Sequence, residues 1–398
     1  MRFAICCFYE AYPPASGAAS VTYNLAKFLP GERTLMQVGE VSETVVTEDG
    51  VRVMVVGPAT ESRARRVAGL ARTVSGFVSE IRHVSPDVIV LEGASWAVYH
   101  WVLMRRLRRA APHAQIVYHA HNVEYVLRRG TKLPGVRALT RMAEGGLLRG
   151  ADLATAVSET DCEQCHSLYG VRPIVLPNGV DASAFAPVSS SEADRVRSLY
   201  QLGDEPVVFS GLASYGPNRE ALAFLLSRVM PQLVARRPRA IVAVTGGALD
   251  ADAPWLRGLG LVPFRDLPGV IGACRVAVAP VFSGSGTRLK ILEAMAAGVP
   301  VVATSKAAEG LPLADGTHLL LADSAADFVR AIERFLAEPH FASRLAGAAR
   351  ELVSSQFAWP AIVADFVARL GQGIEATRTV SDTGLRQFHD GPGGERAA

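Results

Sequence analysis

The chain has 398 residues, of which 49% are hydrophobic and 20% charged, and its formal net charge is +3. This length and apolar content favour two globular domains with sizeable cores, and the small net charge gives no support to a nucleic-acid partner. Five cysteines without an apparent secretory signal favour a reducing compartment. No apolar run approaches the length of a membrane-spanning helix, so we expect a cytoplasmic protein.

The first half of the chain alternates apolar strands with helical segments. Residues 2–9 predict a central first strand, a helix is expected from about 21 to 29, and Gly17 lies in the turn between them. A small-residue turn after the first strand is where doubly wound folds bind ligands. Gly17 is therefore either a site of close approach to a ligand or an ordinary turn glycine.

The next strands lead to a polar cluster. Strands are predicted at 35–38, 51–56 and 88–93, and helices at 61–84 and 96–110. A further strand at 115–119 delivers the segment HAHNVE, which spans residues 119–124. Ligands bind at the carboxyl ends of parallel strands in open α/β sheets, so this segment is a candidate site.

Two features of the first half each allow an ordinary structural interpretation and a more specific functional one. Residues 100–149 carry ten Lys or Arg side chains and two Glu, which form either a solvated helix face or a surface for anionic lipid. Cys162, Cys165 and His166 have the CxxCH spacing of haem attachment. They fall within a predicted helix and offer too few ligands for zinc, so we interpret them as ordinary helix residues.

The second half repeats the alternation. A strand at 206–211 ends in Gly211, and a loop carrying Arg219 leads into a helix. Strands follow at 240–247 and 260–264, the second containing Val262. Asp250 and Asp252 form a DxD pair in an Ala/Pro loop without further acids, so we expect them to be solvated rather than to bind a metal.

Residues 276–304 are the most informative stretch of the chain. Val276 to Val281 predicts a buried strand, and Gly284 and Gly286 flank Ser285, which can cap a helix N-terminus. Residues 287–297 favour helix, and Gly298 with the proline at 300 ends it before the next strand. The stretch therefore predicts strand, glycine turn, helix and strand.

This geometry favours anion binding. A helix N-terminus presents unpaired N–H groups and a partial positive charge, and Arg288 and Lys290 add cations that a bound diphosphate would offset. Glu293, one turn later, can accept hydrogen bonds from sugar hydroxyls. The alternative is a surface ion pair between Lys290 and Glu293, three residues apart, worth about 0.2–0.5 kcal/mol.

The run GSGTRLKILEAMAAGVPVVAT, at 284–304, resembles the nucleotide-sugar signature of family-four glycosyltransferases with the GT-B fold. The segment HNVE at 121–124 resembles a second motif of the same enzymes. The resemblance implies an α/β, GT-B protein in which two Rossmann-like, doubly wound domains face an interdomain cleft. Many relatives carry a Glu eight residues before the one matching Glu293, whereas this chain has Ser285.

The resemblance also assigns roles to residues. It implies catalytic roles for His121, Arg288 and Lys290; His121 would bond a donor-sugar hydroxyl or orient the acceptor, or else cap the following helix. Glu124 would bind the acceptor or act as a first-turn helix acid. Arg219 is either a phosphate ligand or an exposed residue. The donor-binding residues would be Gly17, Gly211, Arg219, Val262, Gly284, Ser285, Gly286, Thr287, Glu293 and Glu309.

By the same resemblance, four segments are expected. Residues 1–185 would form the acceptor-side domain, 186–356 the nucleotide-sugar domain, 357–371 a helix returning to the first domain, and 372–398 a disordered tail.

The expected function is a retaining, metal-independent transfer of a hexose-type sugar in polysaccharide or glycoconjugate biosynthesis. The donor would be a UDP- or GDP-linked sugar, with no cofactor. The acceptor would be a glycan, a lipid-linked molecule or a small molecule, and residues 100–149 would contact an anionic membrane peripherally at its inner face. The alternatives are a GT-B sugar-nucleotide epimerase and a catalytically weak nucleotide-sugar-binding protein.

Overall fold

The computed structural model describes residues 1–39, 43–58, 63–93, 95–128, 134–212, 214–249, 251–284 and 289–371. The strands are β1 (Arg2–Cys6), β2 (Glu32–Gly39), β3 (Thr44–Val46), β4 (Arg52–Pro58), β5 (Val88–Gly93), β6 (Gln115–Ala120), β7 (Leu153–Ala156), β8 (Ile174–Val175), β9 (Glu205–Ser210), β10 (Ala240–Thr245), β11 (Leu256–Gly258), β12 (Val276–Ala279), β13 (Val301–Ala303) and β14 (Leu320–Leu321).

Helices connect and flank these strands. They are α1 (Gly17–Phe28), α2 (Arg63–Val84), α3 (Ala97–Ala110), α4 (Glu124–Leu127), α5 (Pro134–Gly150), α6 (Glu159–Tyr169), α7 (Ser190–Leu199), α8 (Gly216–Phe224), α9 (Met230–Arg236), α10 (Leu267–Gly272), α11 (Leu289–Ala296), α12 (Ser305–Ala308), α13 (Ala325–Ala337), α14 (Pro339–Gln356) and α15 (359–371). A π-helical turn, Leu225–Val229, joins α8 to α9.

Two parallel sheets organise the chain, as the α/β prediction requires. The first has the strand order β3-β4-β2-β1-β5-β6-β7-β8, and the second β11-β10-β9-β12-β13-β14. Every pairing between these strands is parallel except that of β3 with β4. Residues 3–6 of β1 are fully buried because helices cover both faces of the sheet.

The first helix begins earlier than the sequence predicts. The Ser16 side chain accepts a hydrogen bond from the Ala19 N–H at 3.2 Å, so it caps α1 and the helix starts at Gly17 rather than near residue 21. Satisfying a free N–H at the first turn stabilises this earlier start. As a result, Gly17 lies at the helix N-terminus and not in a loop.

The last described helix returns to the first sheet. Trp359, Phe366 and Leu370 of α15 are buried in one cluster with Phe3 and Ile5 of β1. A backbone hydrogen bond fixes the chain just before this helix, because the Val180 N–H donates to the Phe357 carbonyl at 2.8 Å. The domain boundaries given above stay predictions, and the tail at 372–398 lies outside the described residues.

The CxxCH segment lies in α6, as predicted. Cys162 and Cys165 are buried in the core of the first sheet, whereas His166 is exposed. Burial raises the pKa of the Cys162 thiol to about 11, which disfavours the thiolate. Of the DxD pair, Asp252 is exposed and Asp250 lies outside the described residues.

Candidate functional site

A cavity of about 720 Å³ lies between the carboxyl ends of the two sheets. Residues from both halves of the chain form its wall, as expected for ligand sites in open parallel sheets. The first half contributes Pro13, Pro14, Ala15, Ser16, Gly17, Ala18, Ser20, Val21, His121, Asn122 and Asn178. The second contributes Ser210, Gly211, Leu212, Tyr215, Asn218, Thr245, Gly246, Leu261, Val262, Pro263, Phe264, Leu267, Leu289, Lys290 and Glu293.

The turn before α1 faces the start of α11. A Cβ atom added at Gly17 would meet only Leu289 Cδ1, at 3.6 Å, which is an ordinary van der Waals distance. Space alone therefore does not require glycine at position 17. The proximity does place the first helix of one half beside the candidate anion-binding helix of the other.

His121 follows β6 and lines the cavity. Its Nε2 lies 2.5 Å from Glu92 Oε2, and its backbone N–H donates to the Gly93 carbonyl at 3.3 Å. Only 8% of His121 is exposed, and Glu92 is fully buried. The imidazole is therefore held by the neighbouring strand β5, which the sequence motif alone does not indicate.

Glu92 is a buried carboxylate with several donors around it. Burial by itself would raise its pKa, but the nearby His119 and His121 and the hydrogen bonds from His121 and Thr22 outweigh burial, so the pKa lies below its usual value. Thr22 Oγ1 donates to Glu92 Oε2 at 2.9 Å. At neutral pH this group is consequently ionised and accepts hydrogen bonds only.

His119 belongs to the core rather than to the cavity wall. Its Nδ1 lies 2.7 Å from Thr155 Oγ1, and its ring centroid is 4.9 Å from that of His121. Burial lowers the pKa of His119 to about 4, although Glu92 opposes this shift. His119 is therefore neutral at physiological pH.

Glu92, His119 and His121 bring three ligand atoms within 4.8 Å of one another, which makes them the metal-ligand group to consider among the described residues. The 2.5 Å separation of Glu92 Oε2 and His121 Nε2 is that of a hydrogen bond. Two ligands of a tetrahedral zinc, each about 2.0–2.1 Å from the metal, lie about 3.3 Å apart. We therefore interpret the group as a hydrogen-bonded cluster and not as a metal site.

Lys290 is held at the opposite wall, in the first turn of α11. Its Nζ donates to Asn218 Oδ1 at 2.9 Å and lies 4.3 Å from the ring centroid of Phe209. The amide from α8 and the aromatic ring from β9 thus fix a cation at the cavity wall.

Two glycines make room for this arrangement. Gly211 follows β9 with a φ of +150°, and an added Cβ would lie 2.7 Å from Asn218 Nδ2 and 2.8 Å from Lys290 Nζ. Gly246 follows β10 with a φ of +107°, and its Cβ would lie 2.2 Å from the Gly211 carbonyl oxygen. Side chains at either position would therefore push the backbone turns or Lys290 away from the cavity wall.

Glu293 lies one turn after Lys290 and also lines the cavity. It is 9% exposed, and burial raises its pKa to about 7, with Lys290 acting in the opposite direction. A solvated surface pair, the alternative given above, does not describe a buried acid at a cavity wall. At neutral pH Glu293 can both donate and accept hydrogen bonds.

The remaining predicted donor-binding residues fall into two groups. Val262 lines the cavity, and Gly284 precedes α11 with a φ of +92°. Four residues of the predicted phosphate-binding turn lie outside the described part of the chain, namely Ser285, Gly286, Thr287 and Arg288.

Three predicted site residues do not line this cavity. Arg219 is exposed on the first turn of α8, and Glu309 is exposed and ion-paired with Lys306. Glu124 is buried and accepts a hydrogen bond from the Ala97 N–H at 2.7 Å, so its carboxylate satisfies the start of α3. Ligand roles for Arg219, Glu309 and Glu124 therefore stay predictions without a contact at the cavity.

Several residues at the wall or directly behind it were not singled out by their sequence pattern. Asn218 holds Lys290, and Asn178 lines the cavity, with a buried Oδ1 that accepts no hydrogen bond from any described residue. Glu92 is a lone acid at the carboxyl end of an apolar strand. That position was the one signal in the sequence that could have identified Glu92.

Comparisons with known proteins agree with this architecture. The family model described as Glycosyltransferase Family 4 matches residues 15–184, and the model described as Glycosyl transferases group 1 matches residues 205–338. A phosphatidyl-myo-inositol mannosyltransferase of Propionibacterium freudenreichii is 26% identical over 59% of this chain and 61% of its own length. Thus the alignment spans about three-fifths of that relative.

Two further proteins are similar over larger parts of the chain. A GDP-mannose-dependent alpha-(1-6)-phosphatidylinositol monomannoside mannosyltransferase of Mycolicibacterium smegmatis is 29% identical over 65% of this chain and 70% of its own length. The structure of Anabaena HepE in complex with UDP-glucose has a TM-score of 0.74 and 17% identity, covering 94% of this chain and 100% of HepE. With two parallel sheets around one cavity and both halves matched by glycosyltransferase models, this chain belongs to the family-four glycosyltransferases of the GT-B type.

Proposed function

We propose that the protein transfers a hexose-type sugar from a nucleotide-diphosphate sugar to an acceptor, with retention of configuration and without a metal ion. The observation that carries this proposal is the cavity wall at α11, where Lys290 and Glu293 lie one turn apart beside the glycine turns that follow β9 and β10. The diphosphate would lie against Lys290, and the sugar would extend from it toward His121.

The main catalytic effect in this proposal is electrostatic. Negative charge grows on the leaving diphosphate as the sugar departs, and a cation held in place beforehand stabilises that charge without reorganising. Asn218 and Phe209 fix Lys290 in the ligand-free protein. Losing one such preorganised donor typically costs on the order of 3–4 kcal/mol of transition-state stabilisation.

The same wall supports the proposal of retention. Glu293 is the one carboxylate among the described residues that line the cavity, and it lies on the helix that would bind the diphosphate. We assign it to hydrogen bonds with sugar hydroxyls rather than to nucleophilic attack. The acceptor hydroxyl would then attack from the face that the diphosphate leaves, and the departing phosphate would take the proton from this hydroxyl.

The base of the donor stays open between uracil and guanine. Val262 and Pro263 lie at the wall where backbone atoms would contact the base. The Mycolicibacterium relative is named as GDP-mannose-dependent, and HepE was solved with UDP-glucose. A thermal-shift panel of UDP, GDP, ADP and their glucose and mannose derivatives decides between the bases, because a ligand that binds the folded state raises its stability.

A transfer assay tests the activity itself. With the donor chosen by the panel and a set of phosphatidylinositol, glycan and monosaccharide acceptors, we expect a glycosylated product with the anomeric configuration of the donor, in the presence of EDTA. Inverted product or loss of activity in EDTA would contradict the proposed mechanism. Sugar interconversion without an acceptor would indicate the epimerase, and donor binding without transfer or hydrolysis would indicate the weak binder.

We also propose that a basic and apolar surface of the first half contacts an anionic membrane when the acceptor is lipid-linked. Val136, Leu139 and Met142 of α5 are exposed at spacings that place them along one stripe. Arg82 of α2 and Arg106 and Arg109 of α3 line a groove of about 460 Å³, and α3 packs against both α2 and α5. Exposed apolar groups beside cations fit an interface with anionic lipid.

Vesicle flotation tests this surface. No helix within the described ranges is long and apolar enough to cross a bilayer, so binding is expected to be reversible and sensitive to salt. We expect more protein to float with phosphatidylglycerol vesicles than with phosphatidylcholine vesicles, and Arg106→Glu with Arg109→Glu to abolish the difference. Equal flotation of the wild type with both kinds of vesicle would contradict the proposed contact with anionic lipid. As a control, Arg330→Glu on α13 should leave flotation unchanged.

A further inference from the structure

A chain of buried hydrogen bonds leads from the core of the first half to the cavity. The Tyr9 hydroxyl lies 2.6 Å from Thr22 Oγ1, Thr22 Oγ1 lies 2.9 Å from Glu92 Oε2, and the same oxygen lies 2.5 Å from His121 Nε2. These four side chains come from the segment after β1, from α1, from β5 and from the residue after β6. Only His121 lines the cavity.

The chemistry of the carboxylate fixes the direction of each bond. An ionised Glu92 can only accept, so Thr22 donates its proton to Glu92 and must accept from Tyr9. His121 must likewise donate through Nε2–H. Neutral His121 therefore carries its proton on Nε2, and Nδ1 is left with a lone pair.

The other nitrogen of His121 is available at the cavity. Nδ1 has no hydrogen-bond partner within the described part of the chain, whereas Nε2 is fully engaged by Glu92. Since the side chain lines the cavity, this nitrogen can accept a hydrogen bond from a molecule that binds there. A hydroxyl group of a sugar is a suitable donor to such a nitrogen.

We propose that Glu92 is a positioning residue for His121: by accepting Nε2–H, it fixes the tautomer and ring orientation in which Nδ1 accepts a hydrogen bond from a hydroxyl of the bound sugar. The identity of the sugar rests on the proposed function. The positioning by Glu92 rests only on the hydrogen-bond chain and can be tested in the ligand-free protein.

The surroundings leave Glu92 as the charged partner of His121. Among the residues that the structure describes, the other titratable groups packed around the pair are His119 from β6, His100 from α3, and Cys7 and Tyr9 from the segment after β1. Burial lowers the pKa of each of these two histidines to about 4 and raises the pKa of Cys7 and of Tyr9, so all four are neutral near pH 7.

The direct test is an NMR measurement of the histidine tautomers in the full-length protein with ¹⁵N-labelled histidine, with His121 assigned from the signal lost in His121→Gln. We expect the Nε2–H tautomer in the wild type wherever the ring is neutral. In Glu92→Gln we expect both tautomers, because an amide, unlike a carboxylate, can donate to Nε2 as well as accept from it. A wild-type Nδ1–H tautomer, or the Nε2–H tautomer alone in Glu92→Gln, would overturn the proposal.

Glu144→Gln is the matched control. Glu144 is also a buried glutamate of the first half, but it accepts hydrogen bonds from the N–H groups that begin α4 and does not line the cavity. This variant should leave the Nε2–H tautomer of His121 unchanged. If Glu92→Gln does not fold, the tautomer of His121 in the wild type still tests the proposal. Changes in the His121 signal on dialysis against EDTA would assign the cluster to a metal and would also overturn the proposal.

Kinetics separate positioning from a merely structural role. Glu92→Gln should shift the pH profile of kcat/KM, and Glu92→Asp, which retains the charge, should restore the profile in part. An unshifted profile in a folded Glu92→Gln variant would contradict the role in catalysis. Failure of sugar transfer in the wild type would instead contradict the proposed function and leave the NMR result standing.

Discussion

The two walls of the cavity are built in different ways. The wall from the second half depends on backbone turns at Gly211 and Gly246 and on Lys290, which is held by Asn218. The wall from the first half depends on side chains, because His121 is fixed by a buried acid on the neighbouring strand. One wall can therefore be recognised from a local run of sequence, whereas the other requires contacts between distant segments.

The largest expected effect in this comparison is at Lys290. Lys290→Ala should lower kcat by about 10²–10³-fold, because the variant loses a preorganised cation at the developing charge. The measurement is steady-state transfer with the donor found by the thermal-shift panel. An unaltered kcat would show that Lys290 does not stabilise the transition state. Arg330→Ala, an exposed ion-paired cation on α13, is the control and should keep wild-type kcat.

The sequence predicted Lys290 because the determinants of that wall are close together. Strand, glycine turn, helix start and cations fall within the single run 276–304, and the structure bears out β12, α11 and β13 there. Glu92 and His121 lie 29 residues apart, and only the pairing of β5 with β6 brings them into contact. Single-sequence patterns contain no such information about strand pairing.

Other differences have the same cause. Glu124 resembles an acceptor ligand by motif, but in the structure it satisfies the N-terminus of α3, a partner that the sequence does not reveal. The patterns discussed above also do not identify α5 or α14, which bury only part of one face and include several glycines or small residues. These helices are stabilised by packing against α3 and α11, respectively, rather than by their own sequence.

The second prediction concerns Glu293, the acid at the cavity wall formed by the second half of the chain. Because the pKa of Glu293 is raised from 4.5 to about 7, the folded state binds a proton that the unfolded state has released between these values. The free energy of unfolding should therefore fall as pH rises from about 4.5 to 7, by up to about 3 kcal/mol.

Glu293→Gln isolates that contribution. The amide cannot ionise, so the variant should match the wild type near pH 4.5 and exceed its free energy of unfolding above pH 7. Chemical denaturation at several pH values measures both proteins. If the difference in unfolding free energy between the two proteins did not change with pH, the assignment of a raised pKa to a buried Glu293 would be wrong.

The third prediction tests the backbone turn. Gly211→Ala should lower the free energy of unfolding by about 1–3 kcal/mol, because its φ of +150° is sparsely populated by residues with a Cβ. It should also weaken donor binding, since the new methyl group crowds Lys290. Gly347→Ala, in an exposed position of α14 with no atom within 4 Å of the added Cβ, should instead raise the unfolding free energy by about 0.5–1 kcal/mol. Equal effects of the two changes would show that the turn has no special role.

The central claim is that the wall at α11 binds a diphosphate. A crystal structure with the nucleoside diphosphate that gives the largest thermal shift tests it most directly. We predict that phosphate oxygens lie within hydrogen-bond distance of Lys290 Nζ, with the base near Val262. A nucleotide bound elsewhere, with this cavity empty at saturating concentration, would contradict the account.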